Sequence, residues 1–280
     1  MNFILSIVIP TYERTREVRN LLHSIYLEKI SYKYEILIID QNEDDRLHDI
    51  IVEFENKLPV YWHKVSFKGL SKARNYGTQH ARGGVISFPD DDAEFGLGTI
   101  NKALNYMKEK NADCVFGKCI DKSSGRNTML KFGNKKIQLD FHNFEHNSIE
   151  AAMFVKRTVA LRYPFDEKMG VGCIFGSQEG YDIVYRMLSH KCRLFYSPDI
   201  IFYHPSKVIS RNTSLEIKRA FYYSCGYGHL CQKHQLTKKY LKRIGLLSAA
   251  LPFIAFLKKD HMKYYCAQWM GLKLGYKYLS

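Results

Sequence analysis

The sequence predicts an α/β fold: a mostly parallel, Rossmann-like central sheet flanked by helices, followed by a basic, partly apolar helical extension. Three observations predict it. Short β-rich apolar runs alternate with stretches whose apolar residues recur at helical spacing. The runs give way to polar loops, as strands of a doubly wound sheet do at the edge where ligands bind. From Pro205 onward the composition changes, with basic and aromatic residues replacing the earlier mixture.

The elements follow in order. Leu5 to Ile9, stopped by Pro10 and Thr11, reads as a first buried strand. The opening residues carry no basic n-region and no cleavage site, so a secretory leader is not expected. Val18 to Leu27, apolar at 18, 21, 22 and 25, is helical. Glu35 to Ile39 is a second strand, ending at Asp40 in the polar loop QNEDD. Leu47 to Phe54 is helix-like and Val60 to Val65 a third strand. Ser71 to Ala81 predicts a helix with Ser71 near its start, and Val85 to Phe88 a fourth strand. Thr99 to Lys110 follows as an amphipathic helix, and Cys114 to Ile120 as a strand.

Residues 121–148 are polar and turn-rich, and predict a hairpin or mobile loop. Beyond them come a strand at Ala151 to Val155, a short helix entered at Lys156 to Ala160, and a glycine-containing loop from Tyr163 to Gly176. A helix is expected over Glu179 to Ser189, and two strands at Leu194 to Tyr196 and Ile200 to Tyr203. Gly170, Gly172 and Gly176 imitate a dinucleotide loop but do not lie between a strand and a helix at that motif's spacing, so that reading is rejected.

Composition narrows the function classes. A length of 280 residues with 46% hydrophobic and 25% charged residues excludes a chain dominated by disorder. Seven cysteines with no CxxC pair exclude a zinc ribbon or a disulfide scaffold and fit a reducing compartment. The formal charge of +14 is concentrated: Pro205 to Ser280 carries fourteen basic residues against two acids, Glu216 and Asp260, leaving the body near neutrality. A near-neutral body with a basic tail predicts a catalytic domain over 1–206 and an extension over 207–280 that meets an anionic surface.

Chemistry is concentrated at Gly83 to Phe95, where Asp90, Asp91 and Asp92 follow a strand end. Three adjacent carboxylates repel one another and need solvent, a basic neighbour or a divalent cation as partner. The cation reading gains from the rest of the chain. SIVIPTYERT, EILIIDQNEDD, GLSKARNYGTQHARGGVISFPDDD, FDEKMGVGCIFGSQEGYDIVYRM and IIFYHP occur in that order over roughly residues 4 to 206. Together they resemble family 2 of the inverting nucleotide-sugar glycosyltransferases, of the bacterial polysaccharide-biosynthesis type.

The resemblance implies a GT-A fold, a nucleoside-diphosphate sugar donor with UDP the commonest nucleotide, and Mn²⁺ or Mg²⁺. It implies that Pro10, Thr11, Tyr12, Glu13 and Arg14 hold nucleobase and ribose, and that Asp40 hydrogen-bonds the base. Arg74 and Asn75 match residues lining the donor pocket. Asp90 and Asp92 match the ends of the DxD motif, with Asp90 toward the ribose and Asp92 the usual metal ligand. Asp91, between them, is grouped with the donor-binding residues. His204 matches a position that ligates metal or touches the diphosphate in some members. In GSQEGYDIVYR, Gly180 stands where the family's second acid is commonest. That leaves Glu179 and Asp182 as candidate bases, with Glu179 preferred and Arg186 in a supporting, donor-binding role.

Plainer readings stand beside these. Asp40 has a second, lesser reading as a loop cap; Arg186 serves nearly as well as a partner of Asp182 one helical turn away, and His204 equally as an ordinary half-buried histidine. Leu215 to His234 reads as a helix interrupted at Gly226 and Gly228. Ile244 to Leu257 is an apolar run of a length too short to span a bilayer comfortably, flanked by Lys238, Lys239, Lys242, Arg243, Lys258 and Lys259. An element lying in an anionic interface fits it, and a buried helical hairpin is the alternative. The GxxxG formed by Gly271 and Gly275 lies in a segment too polar for a membrane span.

The reading is therefore a metal-dependent, inverting glycosyltransferase. Its acceptor is a glycan or lipid-linked saccharide, and its expected place is the cytoplasm, peripheral on the inner face of the cell membrane. The alternative is a GT-A-fold module that binds nucleotide sugar or glycan with weakened catalysis. A nucleic-acid reader is not expected: the tail holds no recognised module, and its apolar run is left unexplained.

Overall fold

The structure is a computed structural model that describes residues 4–206 and 210–277. The chain forms two compact units. One comprises Met1–Lys68, Lys72–Phe165 and Ile183–Ser206, and the other Gly69–Ser71, Asp166–Asp182 and Lys207–Ser280. The expected division at 206/207 is one of the points where the chain changes unit. Two stretches assigned from sequence to the first domain, 69–71 and 166–182, group instead with the C-terminal helices.

The first unit is built on a nine-stranded sheet: β1 (Leu5–Thr11), β2 (Tyr34–Asp40), β3 (Val60–Lys64), β4 (Val85–Ser87), β5 (Glu94–Phe95), β6 (Cys114–Ile120), β7 (Ile137–Gln138), β8 (Met153–Lys156) and β9 (Leu194–Tyr203). Their order is β3-β2-β1-β4-β8-β6-β9-β5, with β7 also pairing to β9. β1 runs parallel to β2 and β4, and β2 to β3. β8 is antiparallel to both β4 and β6, so β6 returns to the direction of β4, and β9 is parallel to β6. The carboxyl ends of β1, β2, β4 and β9 consequently share one edge of the sheet. Burial on both faces explains the continuous apolar runs: Leu5, Ile7, Val8, Ile9, Ile36, Ile38 and Ile39 are all fully buried.

Helices α1 (Arg16–Leu27), α2 (His48–Phe54), α4 (Thr99–Lys110) and α5 (Arg157–Arg162) belong to this unit. α1 buries Val18, Leu21, Leu22 and Ile25, the residues whose spacing predicted it. The unit boundary cuts through α3 (Leu70–His80) and α6 (Glu179–Ser189). Ser71 does not cap α3; its hydroxyl donates to the Met169 carbonyl at 2.7 Å.

One correction concerns β9. The two expected strands are one, continuous through Ser197, Pro198 and Asp199. Its register on β6 shifts between Phe116 and Lys118, so Phe116 faces Tyr196 while Lys118 faces Ile201. That irregularity accommodates a proline that cannot donate to the ladder.

In the second unit, α7 (Ser214–Lys233), α8 (Thr237–Leu257) and α9 (Met262–Lys277) form the C-terminal helical set. α7 is unbroken at Gly226 and Gly228, contrary to the expected interruption. Its glycines serve close approach instead. A Cβ on Gly228 would lie 2.4 Å from the Leu272 carbonyl oxygen, one on Gly271 2.2 Å from that of Phe221, and one on Gly275 2.0 Å from that of Cys225. The GxxxG is thus the seam along which α7 and α9 pack, side by side and in the same direction.

α8 also departs from expectation. It is a 21-residue helix that includes the basic residues from Lys238 to Arg243, and it is long and apolar enough to cross a membrane. At 1.5 Å per residue it extends about 31 Å. Only 6% of its most apolar window is buried, which overturns the buried-hairpin alternative. Phe253, Phe256 and Leu257 are 70%, 82% and 71% exposed.

Candidate active site

The shared strand edge of the first unit gathers Thr11, Asp40, Asp90 to Asp92 and His204 at or just beyond the ends of β1, β2, β4 and β9. Asp90, Asp92 and His204 each offer a ligand atom, and these atoms lie within 4.8 Å of one another. His204 Nε2 is 3.2 Å from Asp92 Oδ1, and both side chains are almost fully buried. The other ring nitrogen, Nδ1, lies 3.0 Å from the Pro205 carbonyl oxygen. A carbonyl only accepts, so this bond places the ring proton on Nδ1 and leaves the Nε2 lone pair of a neutral imidazole facing the carboxylates. Burial opposes the imidazolium, but the hydrogen bond and charge of Asp92 outweigh it and raise the His204 pKa above the ordinary value. Two hard carboxylates and an imidazole make a donor set that fits Mn²⁺ or Mg²⁺.

The acid triplet is also anchored by cations and a hydroxyl. Arg74 is completely buried, and its Nη2 donates to Asp90 Oδ1 at 2.9 Å while Nη1 stands 3.7 Å from Glu150 Oε1. Arg14 Nη2 donates to Asp92 Oδ2 at 3.3 Å, and Nη1 to Glu17 at 3.0 Å. Thr11 Oγ1 donates to Asp91 Oδ2 at 2.8 Å. Burial pushes the Asp91 carboxyl up to about 7, against the bond from Thr11 and with the repulsion of Asp92. The three aspartates therefore differ in partner: Asp90 takes Arg74, Asp92 takes Arg14 and His204, and Asp91 takes the Thr11 hydroxyl.

The remaining predicted donor residues take several positions. Pro10 lies in β1 opposite Ile39 of β2. Tyr12 is 40% exposed, with Lys68 Nζ 3.1 Å from its hydroxyl and 4.8 Å from its ring centre. Glu13 adopts a left-handed φ of 57° and donates its N–H to Asn42 Oδ1 at 2.7 Å, pinning the first loop to the second. Asp40 is fully buried; Oδ1 accepts from the backbone and side chain of Asn42, and Oδ2 accepts from Trp62 Nε1 at 3.0 Å. Any bond from Asp40 to a base competes with these, and the loop-capping role is the one its contacts perform. Asn75 exchanges two 2.9 Å hydrogen bonds with the backbone of Phe165. Arg186 Nη2 donates to the Pro164 carbonyl at 2.6 Å.

In the second unit, Glu179 opens α6 and is buried, following Gln178 in a left-handed conformation with φ 74°. A Cβ on Gly170, whose own φ is 103°, would lie 3.3 Å from the Glu179 carboxyl carbon, so this glycine leaves room for the carboxylate. Asp182, one turn later, is fully buried and is met by Lys233 Nζ at 2.9 Å and His234 Nε2 at 2.8 Å. Glu150, Trp62 and Lys233 were missed from the sequence. Glu150 and Lys233 lie in no recognised motif, and only the apolar strand around Trp62 was legible.

Comparison with known proteins agrees with this architecture. The sequence profile described as Glycosyl transferase family 2 matches residues 6–164. The minor teichoic acid biosynthesis protein GgaB of Bacillus subtilis (strain 168) is 27% identical over 181 residues, 61% of this chain and 20% of that protein. The putative teichuronic acid biosynthesis glycosyltransferase TuaG of the same organism is 27% identical over 40% of this chain and 44% of its own. The chain therefore spans less than half the length of these two relatives. Among solved structures, S. aureus TarS 1-349 in complex with UDP-GlcNAc superposes with a TM-score of 0.61 at 14% identity, covering 98% of this chain and 90% of that one. The mannosyltransferase PcManGT of Pyrobaculum calidifontis, in complex with GDP-Man and Mn²⁺, gives 0.64 at 15% identity, covering 98% and 88%. The fold is that of the GT-A glycosyltransferases, and with more than half its length matched by the family profile, the chain belongs to glycosyl transferase family 2.

Proposed function

We propose that this chain is a metal-dependent, inverting glycosyltransferase that moves a sugar from a nucleoside-diphosphate donor, with UDP the first candidate, to a hydroxyl of a glycan or lipid-linked acceptor in surface polysaccharide synthesis. The observation that carries the reading is the convergence of Asp90, Asp92 and His204 at a strand edge, with ligand atoms within 4.8 Å of one another. Those three residues would hold Mn²⁺ or Mg²⁺, which when bound stabilises the negative charge growing on the leaving nucleoside diphosphate.

The other roles belong to the chain's own side chains. Arg74 and Arg14 pair with Asp90 and Asp92 and hold them in place. Thr11, the exposed Tyr12 ring and the loop braced by Glu13, Asn42 and Asp40 receive nucleobase and ribose. Glu179 takes the proton of the acceptor hydroxyl as its oxygen attacks the anomeric carbon opposite the leaving group, which inverts the centre. Asp182, already paired with Lys233 and His234, supports α6. The exposed apolar side chains of α8 and its flanking lysines would hold the enzyme on the anionic inner face of the membrane.

Calorimetric titration of UDP with and without Mn²⁺, into wild type and Asp92→Ala, tests the donor site. Mn²⁺-dependent binding that is lost in Asp92→Ala is expected. Equal binding with and without metal in both proteins would overturn the metal-dependent reading.

A further inference from the structure

The start of β8 and the end of β4 meet at the strand edge that carries the acid triplet. β8 runs antiparallel to β4 with Phe154 opposite Ser87, so the chain entering β8 passes beside the chain leaving β4. Glu150 lies on the entering side, in the short 3₁₀ turn Glu150–Ala152, and Asp90 on the leaving side. Ala151 and Ala152 are fully buried, which seats that turn in the body of the unit. Arg74 of α3, with no exposed side-chain surface, reaches both acids. Its Nη2 donates to Asp90 Oδ1 at 2.9 Å, a hydrogen-bonded ion pair. Its Nη1 is 3.7 Å from Glu150 Oε1, close enough to feel the charge but beyond hydrogen-bond reach.

This arrangement bears on metal binding. A fully buried guanidinium needs a counter-charge, and stripping it of one is strongly destabilising. Asp90 supplies that charge while no cation draws on it. A divalent cation held by Asp90, Asp92 and His204 would claim the same carboxylate and repel Arg74 across it. Glu150 faces the other Arg74 nitrogen and stands outside the cation's ligand set. It is a second counter-charge already in place. We infer that Glu150 is a positioning residue for the metal site, balancing Arg74 when Asp90 turns its charge to the cation. The role rests on the metal-dependent reading above and extends it to a residue beyond the ligands.

The test reads Mn²⁺ itself, through the electron paramagnetic resonance signal of the free ion, with and without UDP. It uses the full chain at about pH 8, above the ordinary carboxylate range. Glu150→Gln keeps the side-chain shape and removes the charge. It should raise the Mn²⁺ Kd about 10–100-fold, the usual effect of altering a group that orients metal ligands. Its thermal midpoint without Mn²⁺ should stay near wild type's, because Arg74 still has Asp90. Glu150→Asp, which keeps the charge, should recover part of the affinity. In an Arg74→Met background, Glu150→Gln should cost much less, since no buried guanidinium is left to balance.

An unchanged Kd in Glu150→Gln would overturn the inference. So would a Glu150→Gln chain that does not fold without Mn²⁺, since that makes Glu150 a prop of the fold. Equal losses with and without Arg74 would overturn it too, by showing that Glu150 acts on the cation directly. Mn²⁺ uptake by wild type with unaffected variants sinks this role and leaves the transferase reading standing. No uptake by wild type, with or without UDP, sinks both.

Discussion

His234 Nε2 lies 2.8 Å from Asp182 Oδ1, and Lys233 Nζ stands 2.9 Å from the same oxygen. Asp182 is fully buried, so two neighbours at the end of α7 meet its carboxylate without help from water. A carboxylate held this way is a tie between helices and a poor candidate to take a proton from an arriving hydroxyl.

Glu179→Gln and Asp182→Asn should therefore fail differently. Glu179→Gln removes the base and should lower kcat by about 10²–10⁴-fold, leaving the thermal midpoint near that of wild type. Asp182→Asn weakens the tie to Lys233 and His234 but leaves Lys233 its Asp166 partner, so it should lower the thermal midpoint while turnover survives. Thermal unfolding beside steady-state turnover checks both. Near-normal turnover in Glu179→Gln with loss in a stable Asp182→Asn would reverse the assignment.

Arg74 is positioned to test the metal-site geometry from behind. Its guanidinium is fully buried, faces Asp90 and Glu150, and lies 5.2 Å from the Phe165 ring centre. Lysine keeps the charge but not the planar fork that serves both acids. Arg74→Lys should weaken Mn²⁺-dependent UDP binding about 10–100-fold, the usual effect of altering groups that orient metal ligands. Calorimetry at saturating Mn²⁺ would show it, and unchanged affinity would remove Arg74 from the site.

What the sequence disclosed follows from how local each signal is. The strands and α1 were legible because burial on one or both faces writes itself into apolar periodicity, as in Ile7 to Ile9 and Leu21 to Ile25. Asp90, Asp92 and His204 were legible because each follows a strand end within a recognisable motif. Glu150 was not, since its pairing with Arg74 spans 76 positions and no local pattern marks it. Pro198 divided β9 on paper because a proline ordinarily ends a ladder; the compensating register shift lies on both strands. Lys238 to Arg243 hid the first turns of α8, where long basic side chains occupy a helix that then turns apolar. The GxxxG was discarded for membrane use, yet small residues serve close packing in water as well.

That packing gives a paired test. Gly275→Ala would set a methyl 2.0 Å from the Cys225 carbonyl oxygen, whereas Gly245 in α8 has nothing within 4 Å. Alanine gains about 1 kcal/mol of helix propensity at an open site, but overpacking costs about 1–3 kcal/mol at a closed one. Gly245→Ala should raise the thermal midpoint and Gly275→Ala lower it. Equal shifts would remove the seam.

Acid should loosen the second unit through Asp166. Burial alone would raise its pKa, but the Lys233 ammonium at 2.6 Å and the Lys168 backbone hydrogen bond outweigh it, and the folded value lies below 3.8. A group whose pKa is depressed on folding contributes stability that is present above its unfolded pKa. That contribution is lost as pH falls through the folded value. Thermal midpoints of Asp166→Asn should therefore fall less steeply than wild type's below about pH 4. Parallel acid limbs would show that the pair contributes nothing.

The last expectation concerns α8. Phe253, Phe256 and Leu257 leave most of their surface to solvent, and Lys258 and Lys259 follow at once. Burying one large apolar side chain is worth about 1.5–3 kcal/mol, and a lysine near an anionic surface about 1 kcal/mol. Phe253→Ser with Phe256→Ser should therefore lower partitioning into phosphatidylglycerol vesicles by at least about tenfold. Lys258→Ala with Lys259→Ala should give a smaller loss that disappears at high salt, where charges near the surface are screened. Co-sedimentation at two ionic strengths separates these contributions. If the aromatic pair made no difference while salt alone released the protein, the attachment would be electrostatic only and α8 would stay outside the lipid.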